Sequence, residues 1–155
     1  IKMDKIVKEY KINAIKEGTV IDHVTPESTF KVIEILDLDK NKEIISVANN
    51  LQSSKLGKKG IVKIAGRELT KAEVDEIAVI APKATINIIK DFSVVKKEPV
   101  ALPDHFSGII KCPNPNCITN KQGTATLFHV TSHEPLTLSC YYCERAVQGN
   151  EILLS

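Results

Sequence analysis

The first hundred residues contain short extended segments and two helical segments. Residues 10–16 alternate apolar and polar side chains in the manner of a strand, and residues 19–24 form a second extended stretch after a glycine. Further strands are predicted beyond these, the first two separated by a loop rich in Ser, Gly and Lys. They lie at residues 43–48, 61–65, 84–90 and 92–95.

The first helix is predicted from its start signal. Thr25 can cap a helix, and Pro26 suits the first helical position because its fixed backbone angle matches the helix. Phe30, Ile33 and Leu36 would then lie on one face. We therefore expect a helix that begins at Pro26 and has a single apolar face.

A capping box predicts the second helix. Thr70 and Glu73 have the required spacing, and Val74, Ile77 and Ala81 follow at intervals of three and four residues. The resulting order is strand, helix, strand, strand, helix, strand, which is that of the ferredoxin-like, split βαβ fold. We predict an α+β protein whose antiparallel sheet has both helices on one face, leaving the other face or an edge for a ligand or another subunit.

A second, smaller domain is predicted after a linker. Residues 96–104 contain two prolines between patterned segments, which favours a linker. Beyond it, residues 124–130 and 136–139 alternate like the strands of a hairpin. A domain of about fifty residues buries too little apolar surface to fold without a staple. We therefore expect one domain over residues 1–99 and a small all-β domain over residues 100–155.

All four cysteines lie in the second domain and predict a metal site. Two close pairs separated by a hairpin can place four thiolates at the corners of a tetrahedron, about 2.3 Å from a zinc ion. The Pro-Asn-Pro-Asn sequence inside the first pair favours a tight chain reversal. We predict one structural Zn²⁺ in a closed site, whose binding energy becomes folding energy. Its ligands would be Cys112, Cys117, Cys140 and Cys143.

Three other interpretations of the cysteines compete with zinc. Two disulfides fit the number of cysteines but not a reducing compartment. A redox Cys-x-x-Cys motif would precede a helix in a thioredoxin-like unit. A nucleic-acid-binding finger with two Cys and two His ligands would recruit His129 and His133, but both lie in strand-like sequence and the second cysteine pair would have no role.

Composition excludes several classes of protein. With 21 basic and 19 acidic residues, the net charge of +2 is too small for a globally basic nucleic-acid-binding protein. The sequence contains no run of about 18 apolar residues, which is the length needed to span a membrane. The N-terminus lacks the apolar block of a signal peptide. We therefore expect a cytoplasmic protein.

A basic cluster suggests chemistry, but no catalytic motif accompanies it. Lys55, Lys58, Lys59 and Lys63 fall within a short stretch that contains no acid. They form either a solvated loop or an anion site in which lysines converge on phosphates. Glycine-loop, nucleophile-elbow and zinc-protease motifs are missing. The Asp-His pair at residues 22–23 could perform acid–base work, but adjacent strand residues face opposite sides.

Three segments together resemble the regulatory chain of aspartate carbamoyltransferase. They are AIKEGTVIDH at residues 14–23, APKATIN at residues 81–87 and CPNPNCI at residues 112–118. The resemblance implies a non-catalytic subunit whose ferredoxin-like domain binds the nucleotide effectors ATP, CTP and UTP, and whose zinc domain docks onto catalytic chains. Regulatory homodimers would bridge two catalytic trimers, so that effectors control pyrimidine biosynthesis.

The same resemblance implies a nucleotide site. The segment 12–15 would meet the base, Asp22 the ribose or base edge, and Lys63 the ribose or a phosphate. His23 and Lys97 would meet the triphosphate, and the remaining residues would complete the pocket wall. The full set is Ile12, Asn13, Ala14, Ile15, Asp22, His23, Lys63, Asn87, Ile89, Phe92, Val94 and Lys97.

Two other functions stay open on the residues alone. A stand-alone zinc-ribbon module that binds nucleic acid would need a basic stripe with stacking aromatics. The chain has four Phe, three Tyr and no Trp, so few aromatic side chains are available to stack on bases. A small enzyme built on the Asp-His pair at residues 22–23 would show turnover without a partner.

Overall fold

The computed structural model describes residues 14–155, which fall into two compact units. The first unit ends at Leu102 and the second runs over Pro103–Ser155. Within its described residues, the first contains a five-stranded sheet, two α-helices and a 3-10 turn. Its elements are β1 (Gly18–Val24), α1 (Thr29–Ile35), the turn (Leu38–Lys40), β2 (Ile45–Ser53), β3 (Gly57–Ala65), α2 (Lys71–Ile80), β4 (Thr85–Lys90) and β5 (Ser93–Pro99).

The sheet has the order β2-β3-β1-β4-β5, and every neighbouring pair is antiparallel. Without β5, this is the strand order of the split βαβ motif, in which the first and third strands are central. The predicted ferredoxin-like fold is confirmed. β5 extends it by a hairpin that follows β4.

The core of the first unit lies between the sheet and its two helices. Ile21, Val62 and Ile86 project from the central strands and join Val32 of α1 and Ile77 of α2 in one buried cluster. Because side chains alternate along a strand, their sequence neighbours lie on the opposite face of the sheet. That opposite face has no helix of the described residues packed on it and is here called the helix-free face.

Helix α1 begins three residues later than predicted, after a hydrogen-bonded turn. Asn49 Nδ2 donates a hydrogen bond of 3.1 Å to the carbonyl of Pro26, and Ser28 Oγ donates one of 2.8 Å to the carbonyl of Ile80. These bonds fix residues 25–28 as a turn before the helix starts. Phe30 is 66% exposed, so its place in the predicted apolar face was wrong, whereas Ile33 packs against the core and Leu36 is buried as expected.

Several predicted strand limits also differ from the structure. Residues 14–16 are not strand, and residues 10–13 lie outside the described part of the chain. β2 and β3 extend towards each other, so the basic cluster lies on a tight hairpin instead of a loop. β5 includes half of the predicted linker, because Lys97 pairs with Asn87 of β4. A proline is tolerated at the end of this edge strand.

The second unit is almost entirely β-structure. A four-stranded sheet of order β10-β9-β8-β6 and the two-stranded pair β11-β7 surround a core in which Phe106 and Phe128 stack at 6.3 Å between ring centroids. The predicted small all-β domain is confirmed, apart from one α-helical turn and one 3-10 turn at Gly149–Glu151. The elements are β6 (His105–Ser107), β7 (Ile110–Lys111), α3 (Ile118–Lys121), β8 (Leu127–His133), β9 (Leu136–Cys140), β10 (Ala146–Gln148) and β11 (Leu153–Leu154).

Within residues 14–155, none of the helices has the length and apolar character needed to cross a membrane.

Candidate functional site

Four cysteine sulfurs of the second unit converge on one point. All lie within 4.8 Å of one another, with 3.6 Å between Cys112 and Cys143 and 3.8 Å between Cys117 and Cys140. Four sulfurs bound tetrahedrally at about 2.3 Å from zinc would lie about 3.8 Å apart, so the spacing fits that ion. A disulfide needs about 2.05 Å, and all four cysteines are free thiols.

Local hydrogen bonds build the two turns that present the cysteines. In the first turn, Asn120 Nδ2 donates to the carbonyls of Cys112 and Asn114 at 2.8 and 2.7 Å, and the Cys117 N–H donates to the Asn114 carbonyl. In the second turn, the Glu144 N–H donates to the Cys140 carbonyl at 2.8 Å. Each turn is closed by residues near its own cysteines in sequence, so the cysteine spacing is enough to predict both turns.

The electrostatics of the thiols are compatible with a cation among the four sulfurs. Burial raises the pKa of Cys112 to about 12, and burial likewise raises that of Cys140. Burial opposes ionisation of Cys143 too, but the N–H of Arg145 and the neighbouring polar groups outweigh it and lower its pKa to about 7. Four thiolates could therefore not coexist here without a compensating charge, which a divalent ion would supply.

The histidines of the second unit are not part of this cluster. His129 and His133 lie on β8, and among the described residues the group of close metal-binding side chains consists of the four cysteines. The interpretation as a finger with two Cys and two His ligands is therefore wrong. The site is a closed four-cysteine centre that fits a single structural zinc.

On the first unit, strand register brings several predicted site residues to the helix-free face. Val20 of β1 pairs with Lys63 on one side and with Asn87 on the other, and Asn87 pairs with Lys97 of β5. Directly paired residues of an antiparallel sheet share a face. Lys63, Asn87 and Lys97 therefore form one row across three strands and the intervening Val20.

A second row on the same face is apolar. Ile89 lies two residues beyond Asn87 and pairs with Val94 of β5. Ile89 is 8% exposed, whereas Val94 is 57% exposed. This row provides an uncovered hydrocarbon surface next to the polar row.

Asp22 and His23 lie together at the other end of the face because β1 has a bulge there. The register leaves both residues opposite Ile61, and His23 has a left-handed backbone with φ of 57°. The His23 N–H donates to Asp22 Oδ1 at 2.6 Å, and Nδ1 lies 3.9 Å from Asp22 Oδ2. The expectation that the pair would face opposite sides was wrong.

Two further residues complete this end of the face. Lys59 Nζ lies 2.9 Å from Asp22 Oδ1, and Thr85 Oγ1 is 3.2 Å from His23 Nδ1. Neither was predicted as a nucleotide-site residue. Lys59 was predicted only as a member of the basic cluster, but it precedes Lys63 by four residues in a strand and therefore shares its face. Nothing in the sequence indicates the contact of Thr85.

The face is short of negative charge. Burial lowers the pKa of His23, as do the positive charges of Lys59, Lys55 and Lys97, while Asp22 acts in the opposite direction. Burial also lowers the pKa of Lys63, against the pull of Asp22. An anionic ligand would reverse both effects by stabilising the protonated groups.

The remaining predicted residues lie at the Ile89 end of the sheet or outside the described chain. Ala14, Ile15 and Phe92 line a cleft of about 450 Å³ together with Ala65. Since Ala65 pairs with Gly18 and Gly18 pairs with Ile89, this cleft adjoins the apolar row. The first two predicted residues, Ile12 and Asn13, precede the described part.

Comparisons with known proteins cover both units. The family model described as "Aspartate carbamoyltransferase regulatory chain, allosteric domain" matches residues 10–101, and the corresponding "metal binding domain" matches residues 104–153. The regulatory chain of Methanothermobacter thermautotrophicus is 51% identical over 145 residues, which cover 93% of each chain. Those of Thermococcus kodakarensis and Pyrococcus abyssi are each 52% identical, over 92% and 94% of this chain and 94% and 97% of theirs. The chain belongs to the aspartate carbamoyltransferase regulatory chains, a family of non-catalytic subunits.

Proposed function

We propose that the chain binds the nucleotides ATP, CTP and UTP on the helix-free face of its first unit and transmits their effect to catalytic chains of aspartate carbamoyltransferase through its second unit. The observation that carries the proposal is the row that places Lys63, Asn87 and Lys97 on one face of the sheet, with His23 at one end of that face. Lysine ammonium groups bind phosphates as point charges.

The two ends of the face suit the two ends of a nucleotide. The cleft lined by Ala14, Ile15 and Phe92 would take the base, and the exposed ring of Phe92 offers a surface for stacking. The cationic end with Lys97 and His23 would take the phosphates. A carboxylate at that end would repel them, but Asp22 is already engaged by Lys59 and by the His23 N–H.

Asp22 therefore acts mainly by positioning its neighbours. Its carboxylate bridges Lys59 and the backbone of His23, which holds the imidazole at the bulge. This differs from the direct ribose or base contact that the sequence resemblance implied.

The second unit offers a surface for the catalytic chain. Tyr141 and Tyr142 lie between the second cysteine pair and are 63% and 44% exposed, and Ile118 next to Cys117 is 41% exposed. Exposed aromatic and aliphatic groups on a rigid turn are typical of a protein interface. The metal would fix the two turns in the conformation that the partner meets.

The regulatory homodimer is supported by the edge of the first sheet. β2 is an edge strand, and Ile44 and Val47 near its start are 65% and 40% exposed. An exposed apolar edge strand is suited to pairing with a second copy of the chain. A dimer of this kind could bridge two catalytic trimers, and a nucleotide would act by its differential affinity for two states of the complex, about 1–3 kcal/mol per coupling.

The proposal includes a cytoplasmic location. The four cysteines form no disulfide with one another, and unpaired thiols persist in a reducing compartment.

Calorimetric titration of the zinc-loaded full chain with ATP, CTP and UTP tests the nucleotide site. Lys97→Ala removes a charge from the helix-free face, and Lys96→Ala is its matched control on the same strand, since Lys96 lines a cleft on the helix side with Val74. We expect Lys97→Ala to weaken nucleotide binding about tenfold, and Lys96→Ala to leave it unchanged. Equal effects of the two variants would refute the assignment.

An oligonucleotide titration on the same preparation tests the alternative function. A nucleic-acid-binding module would bind single strands with steep salt dependence, carried by its basic residues. We expect no such binding at physiological salt.

A further inference from the structure

A second basic cavity lies at the tip of the β2–β3 hairpin. It has a volume of about 560 Å³ and three walls from separate parts of the first unit. The turn before α1 contributes Pro26, the hairpin contributes Lys55 and Lys58, and the segment after α2 contributes Lys83. We call it the hairpin cleft.

Hydrogen bonds between the walls hold the hairpin cleft open in one shape. Ser28 Oγ donates to the Ile80 carbonyl, which joins the turn before α1 to the end of α2. The amide of Asn49 donates to the Pro26 carbonyl and thereby joins that turn to the hairpin. Lys55 Nζ donates to the Lys83 carbonyl at 3.3 Å and joins the hairpin to the third wall. The cleft is therefore preorganised.

The lining of the hairpin cleft selects for anions. Lys55, Lys58 and Lys83 contribute three positive charges, and Glu27 is the single carboxylate among the lining residues. The apolar part of the lining consists of aliphatic and proline side chains, with no aromatic ring besides the imidazole of His23. A nucleobase would find no stacking partner there, whereas a phosphate group would find several ammonium donors.

His23 connects the hairpin cleft to the helix-free face. Its left-handed backbone at the bulge places the imidazole against Thr85 and Asp22, and the same side chain lines the cleft. The charges of Lys55 in the cleft and of Lys97 on β5 both act on this ring. The two regions thus meet at one residue.

We propose that the hairpin cleft is a phosphate-binding site, additional to the nucleotide face, in which Lys58 and Lys55 hold a phosphate group. The phosphate could be the terminal one of a nucleotide that reaches past His23, which rests on the proposed function. The other source is a separate inorganic anion, and this alternative does not rest on the proposed function.

The test is calorimetric titration of the zinc-loaded full chain with inorganic tripolyphosphate at constant ionic strength. Lys58→Gln removes a charge of the cleft without touching the Lys55 bond to the third wall. Lys40→Gln, an exposed lysine at the end of the 3-10 turn, is the control for net charge. We expect Lys58→Gln to weaken tripolyphosphate binding about tenfold, and Lys40→Gln to have no measurable effect. Equal effects of the two variants, or no binding at all, would overturn the proposal.

Titrations with ATP and AMP identify the source of the phosphate. If it belongs to the nucleotide, Lys58→Gln weakens ATP binding but not AMP binding. If it is a separate anion, tripolyphosphate still binds, and still depends on Lys58, when the chain is saturated with ATP. A chain that binds tripolyphosphate through Lys58 but binds no nucleotide would refute the proposed function and leave the hairpin cleft in place.

Discussion

The first unit buries a continuous aliphatic core between a five-stranded sheet and two helices, whereas the second buries five apolar side chains besides its cysteines. Those five are Phe106, Ile110, Phe128, Leu138 and Val147. A core of that size cannot offset the conformational entropy of some fifty residues. The first unit is thus stabilised by packing and the second by its metal, so removing one means of stabilisation should leave the other unit intact.

The two units also differ in charge, because the basic residues are concentrated in the first. The first unit holds 18 of the 21 basic residues, whereas residues 103–155 hold three basic and four acidic residues. Four thiolates around a dication make the second unit more negative still. A phosphate ligand would therefore be drawn to the first unit and repelled by the second.

Loss of the metal should have the largest effect on stability, and it should be confined to the second unit. Cys140→Ser removes one ligand, and since structural zinc contributes about 10–16 kcal/mol to folding in small domains, we expect residues 103–155 to unfold. Amide hydrogen exchange, together with the zinc content, measures this for each unit separately. Ser139→Ala, at the neighbouring position, should retain zinc and protection. Persistent protection of the second unit in Cys140→Ser would contradict the account.

Substitutions that create a cavity should have the next largest effect, and that effect should differ between the two cores. Phe128→Ala should cost about 3–5 kcal/mol and should weaken zinc affinity, because metal binding and folding of the second unit are linked. Ile77→Ala should cost about 2–5 kcal/mol in the first unit and leave zinc affinity unchanged. Chelator competition and denaturant unfolding measure the two quantities. A change in zinc affinity in Ile77→Ala would show that the units are not independent.

The cap of α2 should produce a smaller, local effect. Thr70 Oγ1 accepts a hydrogen bond from the Glu73 N–H at 3.2 Å, and Glu73 Oε1 accepts one from the Thr70 N–H at 3.0 Å. Thr70→Ala should reduce the stability of the first unit by about 0.5–2 kcal/mol, and Thr70→Ser should retain most of it. Chemical denaturation measures both. Identical stabilities would mean that the capping box is not needed.

Acid should unfold the second unit before it weakens the first. Burial opposes ionisation of Glu73, but the Thr70 N–H and the Arg67 guanidinium outweigh it and lower its pKa. Its stabilising contribution is present above the ordinary glutamate pKa and is lost as the pH falls through the lowered value. Protons compete with zinc for thiolates at a much higher pH. Zinc release and helix content, followed against pH, should therefore change in that order.

Two kinds of feature that the sequence predicted correctly, the helix cap and the cysteine turns, depend on local contacts. The capping box joins Thr70 to Glu73, three residues away, and each pair of cysteines is closed by a turn within the same few residues. Alternation and order of elements sufficed for the ferredoxin-like sheet. The four-cysteine centre followed from spacing alone.

The features that were missed depend on contacts between distant segments. The late start of α1 is fixed by Asn49 and by the carbonyl of Ile80, neither of which is near it in sequence. The bulge that unites Asp22 with His23 arises from the pairing of β1 with β3, and alternation along β1 gives no sign of it.

Nucleotide binding by the first unit should not depend on the metal of the second unit, and one variant separates the two. The zinc-free Cys140→Ser chain should bind ATP or CTP with the affinity of the zinc-loaded chain, but should no longer co-purify with the catalytic chain of aspartate carbamoyltransferase. If the Cys140→Ser chain loses both nucleotide binding and co-purification, the two units do not act separately.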